Sequence, residues 1–334
     1  MSLGRRNFLT SSAALGASSL LGFSQSALAL GDPPPEVQRI RLVQAPVTCL
    51  APQYLAEDLL HLEGFSKVDY VQMLQQVAMD VAEGRADMAM WGLAESIAVL
   101  DADSPIVLLA GIHAGCWELF GNKNVESVRD LRGKAISIIG KGTADHVLTS
   151  SMLAYIGLDP NKDVHWVHGK SGAGAMRLFI DGKADAFMGF PPQPQELRAK
   201  KIGRLIVDTA IDKPWSQYFC CVVVANRDFV RKHPVATKRA LRAFLKAADI
   251  CASEPERAVR FMAEKGYERR QDYALDMMKK LPYDSWRQAD PEDSLRFLAL
   301  RLYEVGMIKT SPNKLIARGT DWRFLNELKK ELKA

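Results

Sequence analysis

The sequence predicts an α/β fold in two lobes, each a mostly parallel sheet flanked by helices. Three observations carry this expectation. Short apolar strands alternate with segments of helical period, the pattern that builds parallel sheets. The stretch Gly84-Arg85-Ala86-Asp87-Met88-Ala89-Met90-Trp91-Gly92 is echoed by Gly182-Lys183-Ala184-Asp185-Ala186-Phe187-Met188-Gly189-Phe190, as if one kind of unit were built twice. Finally, the 334 residues give enough chain for two cores of ordinary size.

The elements follow in order. Ile40 to Val43 reads as a buried strand ending at Ala45-Pro46, and a helical period runs from Pro52 to Leu62 with Gly64 just beyond it. Val68–Val71 is a second strand, 75–83 a helix stopped by Gly84, and Asp87–Met90 a third strand. A second lobe opens at Ser127-Val128-Arg129-Asp130-Leu131-Arg132-Gly133-Lys134, followed by a strand at 135–139. Gly140-Lys141-Gly142-Thr143 leads into a helix over 144–155; a strand over 164–167 and a helix over 175–181 come next. The chain returns through Trp215-Ser216-Gln217-Tyr218 to a strong strand, Phe219 to Val224, and the remainder is helical in period. Asp87 and Asp185, at matching points of the echo, read as strand-opening residues.

The N-terminus reads as a secretory leader over residues 1–29. Arg5-Arg6 precedes Phe8-Leu9, a mildly apolar stretch follows, and Ala27-Leu28-Ala29 offers a small-residue cleavage site. The paired arginines point to the Tat route and a periplasmic location. The apolar stretch is too short to span a bilayer, so no membrane insertion of the mature chain is expected. The net charge is +5, two of those positives being Arg5 and Arg6. The remaining chain is near neutral and has no basic run suited to nucleic acid. Five cysteines with no C-x-x-C pair form neither a disulfide framework nor a zinc-knuckle spacing. Cys220-Cys221, inside an apolar run, reads as a pair of buried, inert thiols.

With these segments in view, the chain resembles the periplasmic solute-binding proteins for nitrate, taurine, aliphatic sulfonates and thiamine-pyrimidine precursors. Ala51-Pro52-Gln53-Tyr54-Leu55-Ala56, Gly84–Ala89, Ser127–Lys134 and Met152-Leu153-Ala154-Tyr155-Ile156-Gly157-Leu158-Asp159-Pro160 carry the resemblance. It implies a type II periplasmic binding protein whose lobes are joined by two crossover hinge strands, with lobe I over 36–117 and 219–334 and lobe II over 118–218. It also implies a monomer that takes a small molecule between its lobes, closes by a hinge motion and docks on an ABC permease with its ATPase.

Ligands of open α/β sheets bind beyond the carboxyl ends of the strands, where helix N-termini present free N–H groups. The loops meeting that description, among them the segments 91–96 and 111–116, nominate Pro46, Trp91, Gly92, His113, Gly142, Thr143, Phe190 and Trp215 as ligand-binding residues. Glycine lets backbone approach a ligand, and the aromatic rings offer faces to a carbon skeleton. Thr143 either contacts an anion or simply caps its helix. Trp91 and Trp215 either contact ligand or pack core and hinge. His113 is either a cleft hydrogen-bond donor or a structural histidine. A metal-ligand role for His113 and Cys116 with Glu118 lacks a second His/Cys pair to complete a tetrahedron, so neither metal nor cofactor is expected. Gly140–Thr143 lacks P-loop spacing, and no catalytic triad, G-x-S-x-G or dinucleotide motif occurs. The expectation is therefore a binder rather than an enzyme, for a small organic anion of sulfonate or taurine type. The alternatives are an enzyme of thiamine-precursor or dehydratase type on the same fold, or a periplasmic sensor.

Overall fold

The computed structural model describes residues 32–45 and 47–334; the leader over 1–29 and Pro46 lie outside the described residues. The first part of the chain forms β1 (Arg39–Gln44), α1 (Ala51–Leu62), β2 (Lys67–Gln72), α2 (Val77–Ala82), β3 (Met88–Gly92), α3 (Leu93–Asp101) and β4 (Ile106–Ala114). Residues 115–117 then cross to β5 (Glu118–Gly121), β6 (Ala135–Ile138), α4 (Ala144–Tyr155), β7 (His165–His168), α5 (Gly172–Ile180), β8 (Ala186–Gly189), α6 (Gln193–Ala199) and β9 (Arg204–Asp208). Residues 209–218 return the chain to β10 (Phe219–Asn226). Seven helices close it: α7 (Arg227–Lys232), α8 (Pro234–Ser253), α9 (Pro255–Glu264), α10 (Gln271–Lys280), α11 (Pro291–Glu304), α12 (Pro312–Gly319) and α13 (Arg323–Glu331). Among the described residues, no helix is long and apolar enough to cross a membrane.

The strands make two five-stranded sheets of identical plan, β2-β1-β3-β10-β4 and β7-β6-β8-β5-β9. In each, three parallel strands are followed by one reversed strand and then by a fifth pairing antiparallel with it. The protein is thus a two-lobed α/β structure with mixed sheets. The two copies of the sequence echo, around β3 and β8, occupy the same third position of their sheets. Their aspartates do the same work: Asp87 accepts the Arg41 N–H of β1 at 2.8 Å, and Asp185 accepts the Ala135 N–H of β6 at 2.9 Å.

Local chemistry explains the elements. Pro52 stands in the first turn of α1, where its missing N–H costs no hydrogen bond. Gln53 on that helix is fully buried because it ties two strands together, donating to the Val43 carbonyl at 2.9 Å and accepting the Met90 N–H at 2.8 Å. Strand β4 is buried along its whole length, so it shows no alternation of polar and apolar residues. The segment 111–116, read from its glycines as a loop, is in fact the end of this strand and the start of the crossover. Gly111 lies against the Phe219 ring, where a Cβ would overlap it. Likewise 91–96 is not a loop but the end of β3 and the first turn of α3. The C-terminal helices pack onto the first sheet and its helices: α8 on α1, and α12 and α13 against β4.

Candidate ligand site between the sheets

Between the two sheets lies a cavity of about 250 Å³. Its walls come from the carboxyl ends of β1, β2, β3, β6 and β8 and from the start of the reversed strand β10, the position expected for a ligand of this architecture. Val47, Cys49 and Leu50 follow β1, Met73, Gln75 and Gln76 follow β2, and Trp91 and Gly92 end β3. The opposite wall carries Ile139, Thr143, Ala144 and Phe190, with Cys116 and Trp117 from the crossover. The rings of Trp117 and Phe190 lean together at 5.1 Å between centroids. None of the described residues lining the cavity is Lys or Arg.

Of the residues nominated from sequence, Trp91, Gly92, Thr143 and Phe190 meet at this cavity. Trp215 lines a smaller neighbouring space of about 40 Å³ that shares Gly92, Trp117, Ala144 and Cys220 with the larger one. Its ring packs edge-on against Tyr155 and Phe297, which makes it part of the hinge packing. Gly142 is not in the lining. It takes a left-handed φ of +84° and donates its N–H to His146 Nδ1 at 3.1 Å. Burial pushes the His146 imidazole down to about 4, so it stays neutral and able to accept that bond. Thr143 turns its hydroxyl to the Gly140 carbonyl at 2.6 Å and makes no side-chain cap on α4. Lys141 is exposed and stands outside the lining. His113 is fully buried behind the wall, with its ring edge-on to Tyr283 at 4.9 Å.

Sequence reasoning missed the one acid among the described residues that line the cavity. Glu95, in the first turn of α3, is buried and points across to the N-terminus of α4. Burial raises its carboxyl from an ordinary 4.5 to about 7, against the opposing pull of the Ala144 N–H and the Trp91 indole. The Trp91 Nε1–H itself has no partner within normal hydrogen-bond geometry. An acid in a first helical turn is common for reasons of the helix dipole, so only the fold reveals that this one faces a cavity.

The sulfur chemistry was missed as well. Cys49, Cys116, Cys220 and Cys221 all border the cavity, with Cys116 Sγ 3.3 Å from Cys220 Sγ. Hydrogen bonds from the Cys116 and Cys221 thiols hold Cys49 well below the usual thiol range, while burial pushes Cys116 well above it. Outside the lining, Lys280 of α10 pairs with Glu118 of β5 at 2.8 Å and with Asp208 of β9, linking the helical layer of the first sheet to the second sheet. Arg198 also pairs with Glu118, so that carboxylate is engaged away from the thiols.

Comparison with known proteins agrees with this geometry. The periplasmic nitrate-binding protein NrtA from Synechocystis superposes with a TM-score of 0.74, covering 90% of each chain at 15% identity. The alkanesulfonate-binding protein SsuA from Xanthomonas axonopodis gives 0.69 over 87% of this chain and 99% of its own, at 16% identity. At these identities the likeness establishes the periplasmic-binding-protein fold. Among curated proteins, the 4-amino-5-hydroxymethyl-2-methylpyrimidine phosphate synthase THI12 of Saccharomyces cerevisiae is 24% identical over 192 residues, 53% of this chain. The match takes in 55% of that relative, so the chain spans about half its length. The NMT1/THI5-like family model matches residues 67–258, more than half of the sequence. The chain belongs to the NMT1/THI5-like family.

Proposed function

We propose that this protein is the periplasmic solute-binding component of an ABC importer, exported by the Tat route. Its lobes, 36–117 with 219–334 and 118–218, would close over a small planar organic solute and present it to a permease and its ATPase. The observation that carries this reading is the cavity itself, walled by both sheets and faced by Trp91, Trp117 and Phe190. At about 250 Å³ it lies below the ~300–1,000 Å³ of drug-sized sites, so its occupant is metabolite-sized. Rings take flat apolar faces, and Glu95 with Gln75 and Gln76 supplies the polar selection.

A nitrogen heterocycle of the aminopyrimidine class fits best. Its ring would lie among the aromatic side chains and its exocyclic N–H would donate to Glu95. The curated relatives named for an aminopyrimidine phosphate support the same class. The competing ligand is a small organic anion, sulfonate- or taurine-like, at the N-terminus of α4. That site faces Glu95 rather than a basic side chain, so an anion there would need the carboxyl protonated. A second reading, synthase chemistry on this fold, is favoured by the names of the curated relatives.

Calorimetric titration of the purified protein with aminopyrimidines, sulfonates, taurine and nitrate at pH 6 and pH 8 separates these readings. Ionisation of Glu95 between the two pH values should strengthen binding of an N–H donor by up to about tenfold and weaken an anion by as much. Trp91→Ala should weaken the heterocycle roughly 30-fold, through loss of about 2 kcal/mol of ring contact. Recovery of the compound unchanged supports transport; its conversion supports the synthase reading, and no binding of any class sinks the solute-binding proposal.

A further inference from the structure

We propose that Cys49, His113, Cys116 and Cys221 form a tetrahedral site for a thiophilic divalent metal ion of the zinc class, set in the wall of the cavity. All four are buried, and their ligand atoms lie within 4.8 Å of one another. A zinc ion with Zn–S of about 2.3 Å and Zn–N of about 2.0 Å holds tetrahedral ligand atoms roughly 3.5–3.8 Å apart. The set therefore needs to contract by roughly 1.3 Å at most, within reach of small side-chain rotations.

The histidine is prepared for this role. A carbonyl can only accept, so the 3.0 Å contact between Nδ1 and the Ala114 carbonyl means that Nδ1 carries the proton. That tautomer leaves a lone pair on Nε2, and Nε2 is fully buried with no hydrogen-bond partner. A buried, unpartnered polar atom is costly, and a metal-ligating histidine typically donates its other nitrogen to a backbone carbonyl or carboxylate. The Tyr283 edge fixes the ring, and the Tyr283 hydroxyl donates to the Cys49 carbonyl at 3.2 Å, fixing the turn that carries the first thiol.

The other ligands converge by topology. Cys221 pairs with His113 across the β10–β4 ladder, beside an irregularity in the register. Cys116 is held at φ +78° directly after Gly115 at +87°, a backbone state unfavourable to a residue with a Cβ and one that clusters at functional sites. The second His/Cys pair absent from the local spacing is thus Cys49 and Cys221, delivered from well-separated parts of the sequence. Soft sulfur with imidazole selects zinc-class ions over magnesium or calcium. The ion would bind Cys116 of the crossover to three residues of the first lobe and anchor one side of the hinge.

The test is a cobalt(II) titration of the full-length protein, fully reduced and stripped with chelator, without organic ligand, so that its outcome is independent of solute binding. One equivalent of tetrahedral cobalt with sulfur-to-metal charge transfer is expected, and zinc should displace it. Cys49→Ser and Cys116→Ser should abolish the band, His113→Gln should weaken binding at least about tenfold, and Cys251→Ser, a buried thiol elsewhere on α8, should change nothing. Circular dichroism checks folding; should a serine variant fail to fold, His113→Gln provides the readout. The proposal is overturned if the reduced protein, with five titratable thiols, takes up no cobalt, or if uptake survives both Cys49→Ser and His113→Gln. Isolation of a Cys116–Cys220 disulfide whose reduction still yields no cobalt binding overturns it equally.

Discussion

Glu95 makes a quantitative prediction because its ionisation is coupled to folding. In the unfolded chain it titrates near 4.5, and in the folded protein near 7. Between these values the folded state holds the extra proton, so stability is fully present below about pH 4.5 and is lost as pH rises through 7. At ~1.4 kcal/mol per pH unit, the shift amounts to about 3 kcal/mol of stability lost across that window. The side chain is buried, so solvent screening removes little of it. Glu95→Gln keeps the shape and the acceptor for the Ala144 N–H while removing the charge. Thermal unfolding followed across pH 4.5–8.5 should show the variant gaining on the parent protein as pH rises. The gain should reach roughly 6 °C at pH 8, taking about 2 °C per kcal/mol for a chain of this size. Parallel profiles for the two proteins over the whole range would falsify the assignment of Glu95 as a buried, cavity-facing acid.

Three further perturbations test the framework. Lys280→Met removes the cation shared by the buried carboxylates of Glu118 and Asp208 and should cost about 2 kcal/mol in denaturant unfolding, less than for a fully buried pair because the lysine remains partly exposed, with Lys280→Arg recovering most of it. Gln53→Leu strands the Val43 carbonyl and the Met90 N–H inside the first sheet, an expected loss of about 2–4 kcal/mol by the same assay. Gly111→Ala pushes a methyl group into the Phe219 ring and should lower the unfolding midpoint by several degrees; an unchanged midpoint would mean that the close packing of β4 on β10 is wrong.

The regular part of the fold was legible where local chemistry and tertiary structure agree. The helix over 144–155 and the helix over 271–280 follow their periodicity and boundary residues. Strand β4 was not legible, because burial on both faces erases alternation and Gly111 and Gly115 read as loop punctuation. In the site, aromatic residues beside glycine at strand ends pointed to Trp91 and Phe190. Trp215, nominated from its place where the chain returns between the sheets, packs edge-on against Tyr155 and Phe297, since an indole in such a turn looks alike in sequence whether it meets ligand or packing. The thiol cluster was invisible because spacing rules detect ligands close in sequence, and these are assembled by a crossover and a returning strand. Glu95 was hidden by its ordinary place in a first helical turn.

The return of β10 has a bearing on how the protein is made. Every strand of the second sheet lies within one continuous stretch, 118–208, whereas the first sheet stays split between β3 and β4 until residues 219–226 arrive. During synthesis the inserted lobe can therefore finish folding while the earlier lobe still exposes two apolar strand edges with an empty place between them. Those edges are ready-made templates for pairing with other chains. The nascent chain must keep them apart from neighbours until about two thirds of its length has emerged, and variants that slow the docking of β10 should accumulate as aggregates.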